Sequence, residues 1–179
     1  NSGSTATVSA TPASGYVFVN WKEGATVLST SASYTFMVNA NRTFVANFSP
    51  VTYTIATTAN PAGAGTATGG GSYANGTSVT VTASPNAGYA FLNWTEGATV
   101  VSPSAVYAFT ASANRTLVAN FTPTYVVATS SSPAAGGQTA GGGTFNSGST
   151  ATVTATPAAG YVFANWTEGA TVVSTSASF

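Results

Sequence analysis

The sequence predicts an all-β chain of tandem small β modules of ~72 residues each, one complete and two partial. Three observations predict it. An aromatic motif recurs three times, with its Trp at 21, 94 and 166, so that the periods are 73 and 72. Apolar and hydroxyl-bearing residues alternate with a period of two, the spacing of a strand with one covered face. Helix formers other than Ala are scarce, whereas Thr (32), Ser (22) and Gly (19) make up much of the 179 residues.

The repeat sets the organisation. Gly15–Gly24 reads Gly-Tyr-Val-Phe-Val-Asn-Trp-Lys-Glu-Gly and returns as Gly88–Gly97 and Gly160–Gly169. A closing signature, Asn41–Phe48, returns as Asn114–Phe121. Residues 146–179 match residues 1–34 at 28 of 34 positions. A unit that begins after the Phe-Ser/Thr-Pro of the closing signature makes 51–123 one whole repeat. Residues 1–50 are then the C-terminal part of a repeat and 124–179 the N-terminal part of another. Two readings of this phase stand: a window on a longer array, or partial units that complete one another between chains. A unit of this size is near the small end of what folds alone, so burial against neighbours favours tandem use.

Along the whole repeat, Tyr53–Ile55 opens a first strand that stops at Asn60-Pro61. Gly65 to Tyr73 reads as one Gly-rich second strand, and Asn75-Gly76 as a hairpin turn. Ser78 to Ala83 forms a third strand with Val79 and Val81 on one face, and Pro85 to Gly88 a turn. Tyr89 to Trp94 is the fourth strand. Strict alternation sends Tyr89, Phe91 and Asn93 to one face and Ala90, Leu92 and Trp94 to the other, as in a strand covered on both sides. A short strand at 98–101, another at Val106–Thr110 with Tyr107 and Phe109 together, and a last one at Thr116–Phe121 with Leu117, Ala119 and Phe121 together complete six or seven strands.

Composition excludes several functions. The charges are three positive and three negative, 3% of residues against roughly 25% in an average domain. There is no Cys, His or Asp, hence no thiol or imidazole nucleophile, base or metal ligand, and no cofactor is expected. Lacking Cys does not fix the redox compartment. Three scattered cations make no footprint for nucleic acid. No apolar run is long enough to span a membrane, and no signal segment opens the chain. Hydrophobic residues at 44% argue against disorder.

The Gly-Tyr-x-Phe-x-Asn-Trp-x-Glu-Gly stretch, with the Gly-rich front strand and the closing Asn-Arg-Thr-x-Val-Ala-Asn-Phe, resembles the divergent internalin B-repeats of bacterial surface proteins. The resemblance covers essentially the whole chain. The resemblance implies a small β-rich module, sandwich-like or β-grasp-like, used in tandem in secreted or wall-attached proteins as spacer, stalk or adhesive arm, and hence an extracellular or cell-surface location.

Candidate sites are few. Tyr16, Phe18, Trp21, Tyr89, Phe91, Trp94, Tyr161, Phe163 and Trp166, with Phe48 and Phe121, read as the core of each unit rather than a sugar-stacking platform. Glu23 with Arg42, and Glu96 with Arg115, read as ion pairs within units, or charges that blunt sheet edges, rather than ligand clamps. Lys22 is the only lysine, so a Lys–Asn crosslink cannot be a property of every repeat. Asn41, Asn47, Asn75, Asn93, Asn114, Asn120 and Asn165 begin glycosylation sequons, several within expected strands. The triple glycines at 69–71 and 141–143 lack the Lys-Ser/Thr and helix of a phosphate loop and read as close backbone approaches or bulges.

The expected function is therefore non-enzymatic: a structural repeat segment of a bacterial extracellular fibre or cell-surface stalk. Its expected partner is copies of itself, met through β-strand contacts that a nearly uncharged surface leaves unprotected. An adhesin arm or glycan/protein-binding module is the alternative; a glycan is possible and not favoured.

Overall fold

The computed structural model describes residues 3–179. The chain is all-β, in several small sheets. The first partial unit contains β1 (Thr5–Ser9), β2 (Tyr16–Glu23), β3 (Thr26–Ser29), β4 (Ser33–Met37) and β5 (Val45–Pro50). The complete unit has eight strands: β6 (Thr52–Asn60), β7 (Gly65–Thr68), β8 (Gly71–Ala74), β9 (Ser78–Pro85), β10 (Tyr89–Glu96), β11 (Thr99–Ser102), β12 (Val106–Thr110) and β13 (Arg115–Val127). The last partial unit, after a 3₁₀ turn at Ala134–Gly136, has β14 (Gly137–Ala140), β15 (Gly143–Asn146), β16 (Thr154–Pro157), β17 (Trp166–Glu168) and β18 (Thr171–Ser174).

The complete unit is a two-layer sandwich. One sheet has the order β11-β10-β13-β6-β8, and the other β12-β9-β7. Its first and last strands, β6 and β13, lie side by side and parallel, with Arg115 opposite Ile55 and Asn120 opposite Asn60. Alternation does what a covered face requires: Ile55, Leu117, Ala119, Phe121 and Trp94 of the larger sheet meet Val79, Val81 and Ala83 of the smaller. The second layer is a sheet, which places the unit on the sandwich side of the two architectures expected.

Several details depart from the sequence expectation. The Gly-rich stretch is two strands, β7 and β8, in different sheets. Gly69 to Gly71 form the corner between them. Gly69 has φ +87°, and a Cβ there would overlap the Thr80 carbonyl oxygen, so only glycine fits. Asn75-Gly76 makes no hairpin, because β8 pairs with β6, and β9 with β7 and β12. It is a turn closed by Thr77 N–H to the Ala74 carbonyl (3.0 Å), with positive φ at Gly76 alone, the pattern of a type II turn that carries the chain between sheets.

Strict alternation also fails in β10. Phe91 pairs with Phe121 but Asn93 with Asn120, so Leu92 is an extra residue in a bulge. The bulge returns Trp94 to the side of Phe91, and the two rings lie 6.2 Å apart. Leu92 is 54% exposed, so β10 is covered on one face only. The first unit repeats this, with Val19 extra between Phe18 and Asn20.

The core expected in every unit is closed only in the complete one. Trp94, Phe121 and Trp21 are buried. Phe18, Tyr89, Phe91, Phe163 and Trp166 are half-buried. Tyr16, Phe48 and Tyr161, expected in the core, are exposed among the described residues. The reason is visible at Phe121, whose ring lies against Gly65 of β7 so closely that a Cβ there would be 2.5 Å from it. Among the described residues of the first unit no strand corresponds to β6 to β8, and none covers Phe48.

Candidate functional site

The recurrent Trp is a structural anchor. Trp94 is fully buried, and its indole N–H donates to the Ala105 carbonyl (3.1 Å). Trp21 donates likewise to Ala32 (3.2 Å). Trp166 lacks this bond: its buried Nε1 has no hydrogen-bond partner among the described residues.

Glu96 ends β10 and Arg115 begins the adjacent β13, whereas Glu23 ends β2 and Arg42 lies in the segment just before β5. Arg115 donates to Glu96 through Nε (2.9 Å) and Nη2 (2.8 Å), lies 4.5 Å over the Phe109 ring, and donates through Nη1 to the Tyr107 hydroxyl (3.2 Å). The other carboxylate oxygen accepts the Thr116 N–H (3.3 Å). Arg42 repeats the arrangement with Glu23 (2.6 Å) and the ring of Phe44 (4.8 Å). The hydrogen bond from Arg115 holds the Glu96 carboxyl below its ordinary pKa, against the opposing effect of desolvation. Arg42 does the same for Glu23. In Glu96 both oxygens are engaged within the unit.

Several sequon amides are also engaged. Asn60 donates to Asn120 (3.0 Å) and Asn120 to Asn93 (2.9 Å), a polar ladder across β6, β13 and β10. Asn47 donates to Asn20 (2.9 Å), and Asn114 accepts the Thr54 N–H (2.9 Å). Asn41, Asn75 and Asn165 are exposed. Alternation alone did not reveal the ladder; the signal was Asn at the same outward register of three strands that the topology makes neighbours.

The feature that bears on function most directly is the junction between units, where there is no linker. β13 closes the complete unit with Arg115–Asn120 against β6 and opens the next with Thr124–Val127 against β15. At the first junction only Val51 separates β5 from β6. Its N–H donates to the Gly15 carbonyl of the preceding unit (2.8 Å), and its carbonyl accepts the Asn75 N–H of the following unit (2.8 Å). At the second, Thr124 N–H donates to Gly88 (2.8 Å), and the Pro123 carbonyl accepts from Ser147 (2.7 Å). A backbone that bonds backwards and forwards at one residue has little freedom to bend.

The last unit is open. Residues 128–132 and 161–165 are not strands, although their counterparts 56–60 and 89–93 are. Those counterparts flank the closing strand β13. Between them in the last unit lies a cleft of about 800 Å³, lined by Val127, Val153, Tyr161, Phe163, Trp166 and Phe179 among others.

Among the described residues no helix is long and apolar enough to cross a membrane. No curated protein and no solved structure matches the chain. The divergent InlB B-repeat domain family matches residues 1–52, 55–124 and 127–179. With three tandem matches spanning nearly its whole length, the chain belongs to the divergent InlB B-repeat domain family, a repeat family of bacterial surface proteins.

Proposed function

We propose that the chain is a non-enzymatic structural segment of a bacterial extracellular fibre or cell-surface stalk, and that its partner is further copies of itself, met through strand contacts. The observation that carries this reading is the junction: β13 runs unbroken from one unit into the next. Tension or bending applied to one unit reaches its neighbour through paired backbone rather than through a hinge. Burial of Trp21 and Trp94 supports this reading over a glycan-binding arm, which needs aromatic faces open to solvent.

The register sets an axial rise. Thr124 lies nine residues past Arg115, which is level with Ile55, itself three residues past Thr52. Twelve residues at ~3.3 Å correspond to about 40 Å per unit along the strands, an upper value because strands twist. Electron microscopy and small-angle scattering of the purified chain test this. A stiff rod with that spacing supports the stalk reading. Units that reorient freely about the junctions would overturn it.

A further inference from the structure

The two strands that join the complete unit to its neighbours lie side by side. β6 follows the first junction, and β13 continues through the second. They pair in parallel over six residue pairs, from Ile55 opposite Arg115 to Asn60 opposite Asn120. The chain therefore enters the pair at its Thr52 end and leaves it at the other end, through Thr124. Tension along the chain pulls the two strands in opposite directions along their common axis. The ladder bonds run across that axis, so they are loaded together, in shear. Separation at right angles to the strands would instead open the pairs one after another.

From this we infer that the β6–β13 pair is a mechanical clamp, the part of the unit that resists extension and whose rupture unfolds it. The stalk proposed above supplies the tension, whereas the clamp follows from the topology inside one unit. Both strands have a second neighbour. β8 pairs with β6 from Thr52 to Ile55, and β10 with β13 from Val118 to Pro123, so neither strand slides without breaking another ladder. A one-residue slip offers no new paired register, because it would turn Leu117, Ala119 and Phe121 away from the core. Side chains also pin both ends. At the Thr52 end, the Asn114 side-chain oxygen accepts the Thr54 N–H (2.9 Å). At the other end, Asn60 donates to Asn120 (3.0 Å), and Asn120 donates to Asn93 (2.9 Å) and to the Thr95 hydroxyl (3.1 Å). These bonds cross between strands that tension drives past one another.

Single-molecule force spectroscopy of the full chain tests the clamp, with handles attached through pairs of introduced cysteines, since the chain has none of its own. Thr52→Cys/Tyr125→Cys applies force at opposite ends of the pair. Thr52→Cys/Ser112→Cys applies it at one end, because Ser112 lies three residues before Arg115. All three positions are exposed. The released length identifies each event: 73 residues extend to about 260 Å, and 60 residues to about 215 Å, at ~3.6 Å each. The rupture force should be several-fold higher in the first geometry. Asn120→Ala should lower that force and leave the second nearly unchanged, because peeling from the Thr52 end reaches Asn120 last. Equal forces in the two geometries overturn the clamp, as does an equal loss in both on Asn120→Ala. Neither result bears on the rod shape read by microscopy and scattering, so the stalk reading stands or fails separately.

Discussion

Replacing Trp94 with Ala removes the side chain that ties the two layers of the complete unit together. Trp94 is 0% exposed and packs among Ile55, Val79, Val81, Leu117 and Phe121. A buried Trp removes about 150–250 Å² from water, which at ~25 cal/mol per Å² sets a ceiling of about 4–6 kcal/mol. Ala recovers part of that, and measured truncations of this kind cost about 3–5 kcal/mol. The lost indole hydrogen bond adds little, because the Ala105 carbonyl also accepts the Ala83 N–H (2.9 Å) and is not orphaned. A unit of this size has only about 4–11 kcal/mol of stability, so the variant should lose most of it. Urea unfolding followed by far-ultraviolet circular dichroism measures the change without relying on the missing fluorophore. Hydrogen exchange should show the loss of protection centred on β9, β10 and β13. A change below about 0.5 kcal/mol would refute the anchoring role and point to a ring free for recognition.

Gly69→Ala should destabilise by about 1–3 kcal/mol, because it meets both positive φ and the Thr80 carbonyl, whereas Gly76→Ala, with open space around it, should cost only about 1 kcal/mol in a thermal melt. Asn120→Ala breaks two links of the Asn ladder and should cost about 1–2 kcal/mol by denaturant titration. Glu23 and Glu96 have folded pKa values below their ordinary value near ~4.3, so their contribution is fully present above that pH and is lost as pH falls through the lowered values. Unfolding midpoints should therefore be flat from about pH 5 to 8 and decline only below about pH 4, with little dependence on salt.

The repeat made most of this architecture legible. Period-two alternation located Val79 and Val81, Tyr107 and Phe109, and Leu117, Ala119 and Phe121 on common faces, because a strand covered on one side leaves that record. The expected Glu–Arg pairs form in both units that contain them, since each Glu ends its strand beside the Arg at the start of the closing segment. Alternation could not foresee the bulge at Leu92, because one inserted residue reverses every face that follows it. It could not separate β7 from β8 or identify the turn at Gly76, because local chemistry says that the chain turns but not which sheet receives it.

By itself the sequence determined the strand pattern, the unit length and the residues able to fill a core, for these follow from side-chain period and turn chemistry. Only the tertiary structure decided which aromatics are covered. The pairing of β6 with β13 joins residues sixty positions apart, as in Ile55 and Arg115, and burial depends on that distant partner. Phe121 has β7 over it and is buried, whereas Phe48, in the same local sequence, has no such strand over it among the described residues and is exposed.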